Sequence, residues 1–256
     1  MRKKHFLIIG GTHGIGKELV RSLEKQRHKL SVVSRQLPIQ PQGSRANVHY
    51  WQIDLSQKDN LTKTFTPILE QDGKISHLIF AQRYRGTDDN WEGEYAVSLT
   101  ATKKIIECVS DYFDDTPERS IVIISSLSST LISLEQPVSY HVGKAGLIAL
   151  ARYFAVILGP KGIRVNCVSP ITILKDESKH VYLKNIKLHN LYKQIIPLGR
   201  MGTAKEIADI VEFLCSPAST FITGQNIIAD GGLTLQSQEA LARNLTSLVH
   251  PAIRKS

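Results

Sequence analysis

The chain has 256 residues, 42% of them hydrophobic, which is enough to bury one large core and predicts a single folded unit. Its 32 Lys and Arg outnumber its 23 Asp and Glu, giving a formal net charge of +9. Because these basic residues are spread along the sequence, they indicate a solvated surface; we expect no nucleic-acid function and a mild attraction for anionic ligands.

Short apolar runs alternate with longer amphipathic segments along the chain, which is typical of a parallel sheet with helices on both faces. We therefore predict an α/β fold, a Rossmann-like doubly wound parallel sheet of about seven strands. The predicted strands are residues 5–9, 30–34, 48–53, 77–81, 121–125, 163–168 and 226–229. The predicted helices are residues 15–25, 61–70, 95–113, 138–158 and 204–215.

Three other segments have a composition of their own. Residues 37–45, rich in Pro, Gln and Gly, predict a surface loop. Residues 171–196 mix Lys, His and Asn with scattered apolar residues, which suits a mobile lid over a site better than a core element. A short helix is predicted at 238–249, beyond the last strand.

A glycine-rich turn follows the first predicted strand and opens the first predicted helix. In this context, Gly10 permits a tight turn, Gly14 lets the backbone approach a pyrophosphate, and Gly16 allows close packing of helix on strand. The phosphates would meet the free N–H groups at the positive end of that helix. The turn predicts a dinucleotide site, the alternative being an ordinary glycine-rich connection; its residues are Gly10, Thr12, His13, Gly14, Ile15 and Gly16.

The end of the second predicted strand indicates which dinucleotide is bound. An NAD site would place a carboxylate there, but no Asp or Glu lies between Lys29 and Gln52. The strand ends instead in Ser34 and Arg35, and a guanidinium can bind a 2′-phosphate through two parallel hydrogen bonds. We therefore predict NADP(H) as the cofactor. The alternative is a surface arginine at a strand end.

Tyr140 and Lys144 lie four residues apart and would share one face of a helix. A free tyrosine has a pKa of about 10, too high for efficient proton exchange at neutral pH. A neighbouring ammonium group favours the phenolate, so such a pair can serve in acid–base chemistry. The alternative is a helix with a core tyrosine and a solvated lysine.

The glycine turn together with the distant Tyr-x-x-x-Lys resembles the short-chain dehydrogenase/reductase family, in its single-domain branch of about 250 residues. The resemblance runs over nearly all of residues 5–235 and is close in 197–202, 206–208 and 222–232. It implies one nucleotide-binding domain, residues 1–235, followed by a C-terminal tail, residues 236–256. It also implies a homodimer or homotetramer that reduces a small ketone or aldehyde, or oxidises the alcohol.

The resemblance assigns roles to individual residues. Tyr140 would be the acid/base and Lys144 its partner, which also bonds the nicotinamide ribose. Ser126 would polarise the substrate oxygen, with Ser128 as a rival because the family spacing is usually one residue shorter. Asp54 would meet the adenine, although it or Ser56 could instead be the N-cap of the next helix. The remaining positions matched to the cofactor are Leu55, Ala81, Gln82, Pro170 and Ile173.

Four features depart from the family pattern. Its Asn-Asn-Ala-Gly after the fourth strand is Phe80-Ala81-Gln82-Arg83 here. The asparagine of its proton relay is Ser98, whose shorter side chain could hold a water. The glycine of its Pro-Gly turn is Ile171, and a threonine further on is Lys175. These changes keep two alternatives open: a catalytically silent NADP-binding protein acting as a sensor or assembly partner, and a dehydratase or epimerase.

Composition also bears on the compartment. No apolar run approaches the roughly 18 residues of a membrane span, and the apolar stretch after the basic N-terminus is too short for a signal peptide. Cys108, Cys167 and Cys215 lie far apart and lack metal-site spacing. We therefore expect no membrane association, no metal and a reducing, cytoplasmic location.

Overall fold

The computed structural model describes residues 3–38, 47–57, 61–86, 89–177 and 179–246. Within them, seven strands form one sheet in the order β3-β2-β1-β4-β5-β6-β7, and all neighbouring strands are parallel. The predicted α/β fold is confirmed, and the strand ends differ from the prediction by two residues at most. The strands are β1 (His5–Ile9), β2 (Lys29–Ser34), β3 (Val48–Gln52), β4 (His77–Phe80), β5 (Ser120–Ile124), β6 (Arg164–Pro170) and β7 (Asn226–Ala229).

Helices connect the strands. The first six are α1 (Gly14–Lys25), α2 (Leu61–Asp72), α3 (Trp91–Glu94), α4 (Ala101–Val109), α5 (Val138–Leu158) and α6 (Lys179–Lys184). The last three are α7 (Ile186–Ile195), α8 (Ala204–Leu214) and α9 (Gln238–Leu245).

The sheet separates two hydrophobic cores. Side chains alternate along a strand, so in β1 Leu7 and Ile9 face one core while Phe6 and Ile8 face the other. The first core lies between the sheet and α2, α4 and α5. The second lies between the sheet and α1 and α8. This is the predicted arrangement of helices on both faces.

The helix predicted at 95–113 begins earlier, ends earlier and is not uniform. It begins with α3 because the Asn90 side chain accepts a hydrogen bond from the Gly93 N–H and caps the first turn. A π-helical segment, Tyr95–Thr100, then joins α3 to α4, which ends at Val109. Segments of this kind are rare and are frequent at functional sites.

The segment predicted as a lid contains two short helices, α6 and α7. Asn185 caps α7 by accepting a hydrogen bond from the Leu188 N–H, and α7 buries none of its residues. Helix α7 is therefore not a core element, whereas Ile173 near the start of the segment lies in the second core; the mobility of the segment stays a prediction. The helix predicted at 238–249 is α9, and its predicted end lies outside the described residues, as does most of the loop predicted at 37–45.

One helix is long and apolar enough to cross a membrane by length and composition alone, although it contains no uninterrupted apolar run of about 18 residues. It comprises Val138–Lys161, and an 18-residue window within it has a mean hydropathy of 1.5. The reason is that α5 is rich in Ala, Leu, Ile and Val, since its inner side covers the sheet. Leu147, Ala151, Phe154 and Leu158 of α5 are buried in the first core, as expected of the core helix of a globular domain.

A buried carboxylate joins α2 to the outer strands. Asp72 at the end of α2 accepts hydrogen bonds from Ser31 Oγ at 2.5 Å and Trp51 Nε1 at 3.1 Å, and from His49. Lys29 Nζ lies 3.2 Å from its Oδ1. Burial acts to raise the pKa of Asp72, but these donors outweigh it and lower the pKa. The ionised carboxylate therefore stabilises the fold.

Replacing Asp72 tests this network. Asp72→Ala should lower the free energy of unfolding by about 2–3 kcal/mol, because it leaves several buried donors without an acceptor. Since the folded-state pKa is lowered, the stabilisation is present above a pH of about 4 and is lost as the pH falls further. The difference between variant and parent should therefore shrink in acid. Urea unfolding followed by circular dichroism at several pH values measures this.

A matched control is Asp111→Ala, since Asp111 pairs with Lys161 Nζ at 2.6 Å but is 78% exposed. It should change stability by about 0.5 kcal/mol or less. Equal losses for the two variants would contradict the assignment of a stabilising role to the Asp72 network.

Candidate active site

Two adjoining cavities open at the carboxyl ends of the strands, the edge at which parallel α/β sheets bind ligands. The first has a volume of about 490 Å³ and the second about 1030 Å³. The first lies over the ends of β1, β2 and β3, and the second over the ends of β5 and β6. Both are lined by His13, Ala81, Gln82, Arg83, Tyr84 and Arg85.

The glycine turn is packed so closely that larger residues would not fit. A Cβ on Gly10 would lie 2.5 Å from the backbone nitrogen of Gln82, and the φ of Gly10 is +89°. A Cβ on Gly16 would lie 2.1 Å from the carbonyl oxygen of Gly10. These contacts hold the start of α1 against the ends of β1 and β4, and they leave a concave backbone surface beside the first cavity.

A carboxylate occupies the N-terminus of α1. The Gly14 N–H donates to Glu177 Oε1 at 3.0 Å, although α1 has no acidic residue in its own first turn. Burial acts to raise the pKa of Glu177, but the bond from Gly14 contributes to lowering it. The helix end therefore binds an anionic group in this structure, as the positive end of a helix dipole should.

The residues next to Glu177 hold it there. Asp176 lies 3.6 Å from both Lys17 Nζ and Arg21 Nη2 on α1. Lys175 lies over Gly14, since a Cβ built on that glycine would be 3.3 Å from the Lys175 methylenes. Burial lowers the pKa of Lys175, and neighbouring arginines add to this. In this chain the segment 175–177 thus covers the N-terminus of α1.

The first cavity contains the residues predicted for the adenosine end of a dinucleotide. Thr12 Oγ1 and Ser34 Oγ lie 2.8 Å apart, and Arg35 is exposed beside them. Hydroxyls and an exposed guanidinium are suitable ligands for a phosphate group. Leu55, Ile53 and Ala81 provide apolar walls.

Asp54 is not the N-cap of α2. Its Oδ1 accepts hydrogen bonds from the N–H and the hydroxyl of Ser56, at 2.9 and 2.8 Å, so the two residues form a local turn. The backbone bond from Ser56 is the largest cause of the lowered pKa of Asp54. Residues 55–57 are described and are not helical, so neither residue directly precedes a helix and the N-cap alternative was wrong. Both line the first cavity, so a contact with an adenine stays a prediction.

Gln82 holds the π-helical segment. Its Nε2 donates to Thr102 Oγ1 at 2.9 Å and to the Val97 carbonyl at 3.4 Å. Its Oε1 is buried without a partner among the described residues. The amide therefore serves the contact between β4, the π-helical segment and α4.

Tyr140 and Lys144 lie on one side of α5 and line the second cavity. Lys144 Nζ is 5.6 Å from the centre of the Tyr140 ring, within the range of a cation–π contact. The ammonium group is fixed because it donates to the Ile124 carbonyl at 3.1 Å and the residue is 2% exposed. Pro170 and Ile173 lie in the same wall.

Both candidate serines line this cavity. Ser126 Oγ accepts a hydrogen bond from the Ser128 N–H, so the two are joined through a short 3₁₀ turn, Leu127–Ser129. His141 positions the loop: its Nδ1 lies 2.7 Å from the Ser128 carbonyl oxygen and its Nε2 3.0 Å from that of Ser133. The structure thus brings Ser126 and Ser128 together with Tyr140 and leaves the choice between them open.

Ser98 lies behind the cavity wall. Its hydroxyl donates to Glu94 Oε1, and both residues are buried. A Cβ on Gly143 of α5 would lie 3.1 Å from the same Glu94 oxygen, so Glu94 packs closely against α5 at Gly143. Ser98 reaches neither of those two side chains directly, and its role in a relay stays a prediction.

Four residues at this site were not predicted as functional: Arg83, Glu94, His141 and Glu177. Arg83 and His141 carry a signal in the sequence, since one replaces a family glycine and the other adjoins Tyr140. Glu177 carries none, because its contact with Gly14 joins residues 163 apart. Within the described ranges, no group of three His, Cys, Asp or Glu side chains could hold a metal ion.

Comparisons with known proteins agree with this geometry. A family model described as "Enoyl-(Acyl carrier protein) reductase" matches residues 10–234. Isoepoxydon dehydrogenase patN of Penicillium expansum is 28% identical over 252 residues, covering 93% of this chain and 97% of that protein. The 3-oxoacyl-(acyl-carrier-protein) reductase FabG of Chlamydia pneumoniae is 26% identical over 257 residues, covering 90% and 97%.

Solved structures have the same fold. A 4-hydroxyisoleucine dehydrogenase complexed with NADH matches with a TM-score of 0.82 at 26% identity, covering 92% of this chain and 100% of that one. ElxO with NADP bound matches with a TM-score of 0.80 at 22% identity and the same coverage, which supports the fold alone.

The seven-stranded parallel sheet and the site at its carboxyl edge define an oxidoreductase of the nicotinamide-binding α/β class. More narrowly, the chain belongs to the short-chain dehydrogenase/reductase family.

Proposed function

We propose that the protein is an NADP(H)-dependent oxidoreductase that reduces a ketone or aldehyde to an alcohol, or catalyses the reverse, with Tyr140 as the acid/base. The observation that carries the proposal is that Tyr140, Lys144 and two serines line one cavity, which adjoins the glycine turn. A proton donor and a cofactor cradle are thus neighbours. Free thiols at Cys167 and Cys215 are compatible with a reducing cytoplasm.

The residues present fit a dinucleotide. The turn at Gly10 and Gly16 is packed closely through its backbone and has no side chains at these positions, so a pyrophosphate could approach it. The Gly14 N–H binds a carboxylate in this structure. Thr12, Ser34 and Arg35 would hold a 2′-phosphate in the first cavity. The other residues proposed to contact the cofactor are His13, Ile15, Asp54, Leu55, Ala81, Gln82, Tyr140, Lys144, Pro170 and Ile173.

The side chains at the second cavity would handle the proton. Tyr140 would donate its phenolic proton to the carbonyl oxygen, and the hydroxyl of Ser126, or its rival Ser128, would hydrogen-bond that oxygen. Lys144 would stabilise the negative charge left on the phenol, because its ammonium group is held close to the ring. When bound, the nicotinamide supplies or accepts the hydride. Any return of the proton through Ser98 would require a water, since that hydroxyl is bonded to Glu94.

Removal of the phenol oxygen tests the proposed chemistry. Tyr140→Phe should leave the fold and NADPH affinity nearly intact, and turnover should fall by about 10²–10⁴, the usual effect of losing a positioned acid/base. Lys144→Met should weaken both turnover and cofactor binding. NADPH absorbance with a pooled set of ketones and aldehydes measures turnover, and fluorescence titration measures affinity.

Tyr112→Phe is a matched control, since Tyr112 is partly exposed and lines neither cavity. It should keep parental turnover. The silent-binder alternative would replace the reductase proposal if the parent bound NADPH but consumed none, and Tyr140→Phe behaved identically.

The choice of cofactor depends on Arg35. If this guanidinium binds a 2′-phosphate, NADPH should bind at least about tenfold more tightly than NADH, or 1.4 kcal/mol. Arg35→Ala should remove most of that difference, whereas Arg243→Ala, an exposed arginine lining neither cavity, should not. Equal parental affinities for the two cofactors would contradict the NADP(H) assignment, and a relative of known structure does bind NADH.

We further propose assembly into a homodimer or homotetramer through the outer side of α5. Tyr153, Val156 and Ile157 are exposed there, an apolar surface of the kind that is buried between subunits. Light scattering at micromolar concentration should report a dimer or tetramer, and Val156→Glu should reduce its mass. Ile186→Glu, which alters an exposed apolar residue on α7, should not. A monomeric parent would refute this assembly.

A further inference from the structure

Arg83 is the feature of the second cavity that the proposed chemistry does not use. It stands where the resembled family has a small glycine, directly after β4, and it extends across the cavity towards α5. Its guanidinium carbon lies 5.0 Å from the centre of the Tyr140 ring. Its Nη2 donates to Gln136 Oε1 at 3.0 Å. The guanidinium is thus held beside the residue proposed to donate the proton.

This guanidinium has no carboxylate partner in the part of the chain that the structure describes. The two acidic residues in the same wall are bonded elsewhere. Glu135 accepts from Ser133 Oγ at 2.7 Å, and Glu177 accepts from the Gly14 N–H. Arg85 and Lys175 also line the cavity. Burial is the largest cause of the lowered pKa of Lys175, and the charges of Arg83 and Arg85 lower that pKa further. The wall facing Tyr140 therefore carries an excess of positive charge.

The cations differ in what they approach. Lys175 lies over Gly14 and so faces the proposed pyrophosphate end. Arg83 faces the Tyr140 ring, where a reacting carbonyl compound would be placed. A guanidinium binds a planar carboxylate through two parallel hydrogen bonds, with more geometric specificity than an ammonium group has.

An apolar surface lies next to this cation. Leu131, Ile132 and Leu134 are 40%, 77% and 94% exposed, and all three line the cavity just before Gln136. An apolar ligand that covers these exposed side chains would bind favourably, because it removes their apolar surface from water. The wall is therefore amphipathic, with a guanidinium at one end and aliphatic side chains along the loop.

We propose that Arg83 binds a carboxylate on the carbonyl substrate, and that the substrate is an oxo acid whose apolar body contacts Leu131, Ile132 and Leu134. In the reverse direction the substrate would be the matching hydroxy acid. The inference deepens the proposed function and rests on it, since it requires the reacting carbonyl to lie at Tyr140. Arg83 would act as a specificity-determining residue, not as a proton donor.

The experiment compares two probes that differ in charge but hardly in shape: hydrocinnamate and its neutral amide, hydrocinnamamide. Their binding to the full-length protein is measured by calorimetry, with and without saturating NADPH. The acid should bind at least about tenfold more tightly than the amide. Arg83→Met keeps the length of the side chain but removes its charge, so it should abolish that preference while leaving the affinity for the amide unchanged.

Arg85→Met is the matched control, because it removes a cation from the same wall that has no contact with Tyr140. It should change the ratio of acid to amide affinity less than about threefold. Thermal melting of both variants verifies that they are folded. An equal loss in the two variants would indicate general electrostatic attraction and overturn the proposal.

Two other results would also overturn it. The first is equal affinity for acid and amide, or no binding of either, in the parent. The second is a fall in NADPH affinity in Arg83→Met with the acid preference retained, which would assign Arg83 to the cofactor phosphates. Failure of the proposed function is distinguishable, because it would appear in the parent as absence of NADPH binding or of NADPH consumption. The probe comparison without cofactor still tests Arg83 in either case.

Discussion

The parallel register of the seven strands is the constraint on which the site depends. Because every strand runs in the same direction, every strand ends at the same edge of the sheet. Residues widely separated in sequence therefore meet there: Gly10 after β1, Arg35 after β2, Ala81 after β4, Ser126 after β5 and Pro170 at the end of β6. An antiparallel strand at any central position would move one of these residues to the opposite edge.

Helix α5 combines two requirements that are usually met by different elements. Its inner side is apolar and covers the sheet, and its first turns carry Tyr140 and Lys144. The ammonium group of Lys144 is buried, and it is tolerated because a backbone carbonyl of β5 accepts its hydrogen bond. The same hydrophobic burial that stabilises the fold thus holds the reactive pair rigid, which a site on a loop would not achieve.

Much of the fold could be predicted because its signals are local. Runs such as Phe6–Ile9 contain consecutive β-strand formers and end at glycine, and the spacing of Tyr140 and Lys144 is that of one helix turn. The number of strands, the helices on both faces and the position of the glycine turn follow from such patterns. The composition of α5 is ambiguous for a related reason, since a helix covering a sheet and a helix crossing a bilayer have similar composition.

The rest depends on contacts between distant segments. In the π-helical segment after α3, the Gln82 amide donates to the Val97 carbonyl, and in the turn at Asp54 the carboxylate accepts from the Ser56 N–H. Both contacts give the backbone a side-chain partner that regular helix patterns do not describe. The position of Arg83 over Tyr140 depends on how the loop after β4 lies against α5. Propensity and periodicity describe one segment at a time and contain no information about such pairs.

The contact between Glu177 and Gly14 makes occupancy of the helix end an exchange. A phosphate that binds there would displace the Glu177 carboxylate, so an anion lies at the positive end of α1 both with and without cofactor. The net free energy of the new hydrogen bond is therefore reduced by the loss of the old one. The released segment leads into α6, whose Tyr182 lines the second cavity. Under the proposed function, cofactor entry at one end of the site would therefore loosen the wall at the other, favouring an ordered sequence in which the cofactor binds first and the carbonyl compound second.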